Sequence, residues 1–226
     1  MDLISIILIL GATLISGGAQ AYISLNYKKY KQVLVKSGKS GFDVAREILD
    51  RNGLSNVMIL ETQGELTDHY DPSKKVVKLS HDIYNGKTVA AVSVASHECG
   101  HAIQDKNGYT FLRFRNSIVP IVNISSKFGY IAIMAGIALS LMKLIWVGIA
   151  FELVILLFQL ITLPVEFDAS RRALKLIEEY KIVNSDEHSG AKKMLTSAAL
   201  TYVAGVLSTI TEILRLILMF TGRDDR

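Results

Sequence analysis

Four long apolar runs, at residues 3–25, 117–142, 144–163 and 195–220, limit what this chain can fold into more than any other feature. A helix needs roughly 20 mostly apolar residues to cross the hydrocarbon core of a bilayer. The first three runs read as spans. The fourth is also long enough, although Glu212, Arg215 and several Ser and Thr residues interrupt it. It reads as a fourth span, with a helix packed over a soluble domain as the alternative. In a chain of 226 residues, these runs leave room for about one small soluble domain and a short loop.

Charge gives the expected topology. Ala19-Gln20-Ala21 resembles a signal-peptide cleavage site, but Asp2 and the lack of Lys or Arg ahead of a long apolar run point to an uncleaved helix. Lys28, Lys29, Lys31, Lys36 and Lys39 follow that run directly. Such clusters stay on the cytoplasmic side, so the N-terminus is expected outside and the next domain in the cytoplasm. The second and third runs are almost contiguous, with Lys143 in the connection, and form a helical hairpin. The chain then returns to the side it left, and Arg171, Arg172, Lys175, Lys181, Lys192 and Lys193 agree. The net charge of +4 is modest, and its cations flank spans rather than interleave with aromatics. A nucleic-acid partner is therefore not expected, whereas the lipid bilayer is. The expected division is a first transmembrane helix (1–26), a catalytic α+β domain (27–115), a transmembrane hairpin (116–164), a helix bearing a metal ligand (165–194) and a last helix with a short tail (195–226).

Within the soluble part, Ser40 or Gly41 starts a helix that buries Phe42, Ala45, Ile48 and Leu49 and stops at Asn52-Gly53. Short β-like runs follow at 57–61, 65–70 and 75–80, separated by Gln63-Gly64 and Asp71-Pro72-Ser73. The next helix, expected over about 87–105, carries the chemistry. Its sequence includes HECGH, with His97, Glu98 and His101. Residues four apart on a helix project from one face, so two imidazoles can grip one ion. Glu98, rotated by about 100°, can reach a water on that ion. This is the pattern of a zinc metalloprotease helix, with Glu98 as general base. Ala90 and Ser93 leave room on the metal face. Cys99 is the single cysteine, so no intramolecular disulfide forms; it reads as a small core residue, not a ligand. The residues at 109–115 read as an interfacial anchor leading into the second span.

A catalytic zinc usually takes three protein ligands and a water. Candidates for the third are His69, His81, His188, Asp168 and Glu166. No His follows HECGH at the metzincin spacing. The favoured ligand is Glu166, after Pro164 as a helix start, on one face with the small residues Ala169, Ser170 and Ala173. The plainer account of Glu166 is a carboxylate placed by the dipole at a helix N-terminus. The expected fold class is thus a zincin-like α+β catalytic domain combined with transmembrane helices, mainly α overall.

SHECGHAIQ, the upstream LTDHYDPSKKVVKLS and the downstream LPVEFDASRRAL resemble the YugP-type neutral zinc metallopeptidases of bacterial membranes. The resemblance covers nearly the whole chain. The family is similar in layout to HtpX and the CAAX prenyl proteases, where a later glutamate completes the site. The resemblance implies that His97, His101 and Glu166 hold Zn2+ and that Glu98 activates water. HtpX-like proteins place an aspartate one turn after the ligand glutamate. Here that position is Ser170, so either Ser170 or Asp168 is left to orient a ligand histidine.

Other signals are weaker. His69 reads as an exposed strand residue, with substrate contact as the alternative. Asp82 reads as a cap of the motif helix, and His188 as a loop residue. Tyr202 reads as a packed aromatic, with donation to the tetrahedral intermediate as the alternative. Glu152 lies mid-span, where an ionisable residue pairs with another helix; Arg215 is its expected partner. The expected function is a membrane-embedded zinc endopeptidase acting on a protein or peptide, with strands near 66–70 or 76–80 binding it by strand addition. A membrane scaffold with a structural zinc site is the alternative. It would need a fourth protein ligand, for example His69.

Overall fold

A computed structural model of the chain describes residues 3–221. Asp2 and the tail beyond 221 lie outside the described residues. The elements run α1 (Leu3–Tyr30), α2 (Gly41–Arg51), β1 (Met58–Thr62), β2 (His69–Asp71), β3 (Val76–Ser80), α3 (His81–Asn85), α4 (Val89–Lys106), α5 (Thr110–Ala138), α6 (Met142–Glu179) and α7 (Ser185–Thr221). They divide into two compact units.

One unit comprises, among the described residues, 3–20, 114–163 and 201–221. Its parent helices α1, α5, α6 and α7 are each long and apolar enough to cross a membrane. Leu10, Leu14, Ile121, Leu153, Leu157 and Leu214 are exposed. Apolar surface on that scale needs lipid or protein against it. The α5–α6 hairpin packs closely because it lacks side chains where the helices meet: a Cβ on Gly136 would lie 2.6 Å from Ile145 Cγ1. Lys143 lies in the first turn of α6, not in the connection, which is residues 139–141. The fourth apolar run forms the continuous helix α7, which begins well before it at Ser185. Arg215 pairs with Glu212 one turn away (Nε to Oε2, 2.8 Å), so the suggested partner Glu152 is not its counter-ion.

The other unit comprises residues 21–113 and 164–200. Ser40 caps α2 through a reciprocal box: its hydroxyl accepts from Asp43 N–H, and the Asp43 carboxylate accepts from Ser40 N–H. Val44, Ala45, Ile48 and Leu49 recur at helical spacing and are fully buried. Such side chains contribute roughly 1.5–3 kcal/mol each for the larger ones, which fixes α2 in the core. The sheet has the order β1-β3-β2, with β3 parallel to β1 and antiparallel to β2. The central strand β3, VVKLS, is buried along most of its length.

Three local expectations fail for identifiable reasons. The second strand begins only at His69, because the Asp68 carboxylate turns inward to accept from Ser80 N–H (2.7 Å) and Ser80 Oγ (3.2 Å), and Leu66 sits at φ 57°. Those bonds replace a strand ladder over 65–68. Asp82 does not cap α4. It belongs to the separate helix α3 and pairs with Lys31 (2.5 Å), while Thr88 caps α4 by accepting from Ala91 N–H (3.2 Å). Pro164 lies inside α6 and does not start it. A proline there removes one helical N–H, which a long apolar helix tolerates.

Candidate metal centre

His97 and His101 project from one face of α4, with ring centroids 4.7 Å apart and planes at 88°. Glu166 of α6 completes a triangle. His97 Nε2 lies 3.2 Å from Glu166 Oε2 and 3.2 Å from His101 Nε2, and His101 Nε2 lies 3.6 Å from Glu166 Oε2. Tetrahedral zinc with bonds of about 2.0–2.1 Å needs donor–donor edges of about 3.4 Å. The triangle therefore fits the ion. Among the described residues, these three form the one group of His, Cys, Asp and Glu side chains that could hold a metal. Glu166 is 3% exposed and His101 8%. Lone-pair donors buried against one another need a positive charge between them, which a metal ion or a proton on an imidazole supplies.

Gly100 brings the two helices that carry the donors together. A Cβ there would lie 2.7 Å from Ala169 O and 3.2 Å from Ala169 Cα. Ala169 and Ala173 are fully buried. Glu166 follows from the same packing: it lies three residues before Ala169, on the face turned to α4.

Electrostatics agree with a cation site. Burial works against charge on Glu166, but its contacts with His101 and His97 outweigh this and hold its carboxyl well below the usual carboxylate range. Burial likewise works against charge on His101, and Glu166 more than reverses it, so the imidazole takes a proton more readily than usual. Glu98, 8% exposed and next to His97 in the chain, is not one of the three donors. Burial pushes its carboxyl above the usual range.

Residues 5–221 match the model of a family described as "Putative neutral zinc metallopeptidase". The chain belongs to that family. A relative from Bacillus subtilis (strain 168), named "Putative membrane protease YugP", is 43% identical over 221 residues, covering 97% of this chain and 98% of its own length. No solved structure matches the chain. Family membership, the donor triangle and four apolar helices agree on a membrane protein of the zinc metallopeptidase family.

The structure places the expected site residues unevenly. Ser170 Oγ lies 3.2 Å from His97 Nδ1. Asp168 reaches no histidine directly; its Oδ2 accepts from Arg172 Nε (2.6 Å) and from Gln104 Nε2 (2.9 Å). His69 stays exposed, with Nδ1 2.8 Å from Thr67 O, and supplies no fourth ligand. His81 pairs with Glu61, and His188 with Glu178 (3.8 Å). Tyr202 lines a cavity of about 310 Å³ with Gln159, Thr162 and Gly205 in the apolar unit, and is not in the unit that holds the donors. Cys99 is buried, with Sγ 3.6 Å from Ala45 O, as a core residue should be. The strand at 76–80 has partners on both sides and cannot add a peptide; β2 is an edge. Sequence reasoning missed Gly100 and Gln104. Their signal was present: both lie on the motif helix within one turn of a ligand histidine.

Proposed function

We propose that the chain is a membrane-embedded zinc endopeptidase. The observation that carries this is the buried His97–His101–Glu166 triangle with a further carboxylate, Glu98, beside it in the chain and outside the donor set. Three protein donors are the pattern of a catalytic zinc, whereas a structural site takes four. Zinc bound there would polarise a scissile carbonyl and lower the pKa of water at the site. Glu98 takes the proton of the attacking water and delivers it to the leaving amine. Ser170 and the Asp168–Gln104 pair hold the histidine rings. The peptide lies along the free edge of β2.

The lysines after the first apolar run and the basic residues after the hairpin support a cytoplasmic catalytic domain in the cell membrane, with the N-terminus outside. The test is proteolysis of an unfolded model protein by the purified full-length chain before and after metal removal with a chelator. Cleavage should vanish with the metal and return with added Zn2+. Cleavage that survives complete metal removal would overturn the proposal.

A further inference from the structure

We infer that Gln104 is a positioning residue of the metal centre: it fixes the His101 ring with Nε2 bare, and is itself set by Asp168 and Arg172. The inference rests on the reading of His97, His101 and Glu166 as a metal site. Gln104 is fully buried, one helical turn beyond His101. Its Oε1 lies 3.0 Å from His101 Nδ1. Its Nε2 lies 2.8 Å from Val165 O and 2.9 Å from Asp168 Oδ2. Both of those partners only accept hydrogen bonds, so the amide has one workable orientation. The reversed amide would set its oxygen against a carbonyl and a carboxylate. With the orientation fixed, Oε1 faces His101 as an acceptor, and His101 Nδ1 must donate. A neutral imidazole that carries its proton on Nδ1 has its lone pair on Nε2, the atom in the donor triangle.

The chain of contacts extends further. Arg172 Nε donates to the same Asp168 Oδ2 that accepts from Gln104. Two donors converging on one oxygen hold the carboxylate in place, and the carboxylate holds the amide. His97 differs. Its Nδ1 partner is the Ser170 hydroxyl, which donates or accepts equally well and so selects no tautomer. Gln104 thus does for His101 what a carboxylate often does for a zinc-bound histidine, with the negative charge set one residue further back.

The test uses the purified full-length protein: zinc affinity by competition with a chromophoric chelator, the visible spectrum of the Co2+-loaded form, and the melting temperature of the metal-free form. Gln104→Ala should weaken zinc binding by about 10–100-fold, the usual effect of losing such a partner, and alter the Co2+ bands. Asp168→Ala should weaken it by about 10-fold, while Asp168→Asn should bind like wild type, because one amide oxygen serves both donors. A packing role alone would lower the melting temperature and leave affinity and spectrum unmoved. If Gln104→Ala does not fold, the Asp168 pair decides. Wild-type affinity in Gln104→Ala, or Asp168→Asn as damaging as Asp168→Ala, would overturn the inference. A wild-type protein that binds no Zn2+ would instead remove the metal centre, and this inference with it.

Discussion

Replacing Glu98 by Gln should leave zinc in place and slow peptide-bond hydrolysis by about 10²–10⁴-fold, the contribution of a positioned general acid–base group. That is roughly 3–5 kcal/mol of barrier. The amide matches the carboxylate in shape but cannot take a proton from water. It removes none of the three donors, because Glu98 is outside the His97–His101–Glu166 triangle. Burial already disfavours the charged form of Glu98, so a neutral amide is not penalised by that burial. His97→Ala provides the contrast, since it deletes a donor and should lose both metal and activity. Zinc content after gel filtration and cleavage of an unfolded protein read the two effects separately. Undiminished turnover by pure Glu98→Gln protein would exclude the mechanism.

Local rules made much of this molecule legible. A start at Ser40 or Gly41 and the apolar residues of α2 announce a half-buried helix, and the structure has one, capped by Ser40. Each of the four apolar runs falls mostly within a helix long enough to span a bilayer, the second stopping at Ala138 and not at 142. His97 and His101 needed only helical periodicity. Glu166 needed more, a partner helix suggested by its small residues, of which Ala169 and Ala173 are fully buried.

Failures arose where tertiary contacts overrode local preference. Residues 65–68 have the composition of a strand, yet Asp68 spends its carboxylate on Ser80. Asp82 has the residue type of a cap, yet Lys31, just past the end of α1, claims it. Pro164 looks like a helix start, yet α6 continues through it. The support behind the histidines was hidden for the same reason. A fully buried glutamine is read as such only when the groups that satisfy it, Val165 O and Asp168, are known to lie across from it.

Gly100→Ala should cost the protein its grip on zinc while every donor residue remains. In an isolated helix this change is favourable, by about 0.8–1 kcal/mol. Here the added Cβ would meet Ala169 O at 2.7 Å and Ala169 Cα at 3.2 Å. Both are backbone atoms, so no side-chain rotation relieves the contact. Overpacking of this kind costs about 1–3 kcal/mol unless α6 withdraws. Withdrawal carries Glu166 away from His97 and His101, and a donor must lie within about 2.0–2.2 Å of the ion to count as a ligand. If zinc binding must restore the close approach, it bears that strain, and affinity should fall by roughly 5–150-fold. The metal-free protein, free to relax, should melt close to wild type. Zinc competition and metal-free melting, measured on the same preparation, distinguish this from a general loss of stability. Unchanged affinity together with a raised melting temperature would mean that Gly100 is not the spacer between the two ligand helices, and that Glu166 is positioned by other contacts of α6.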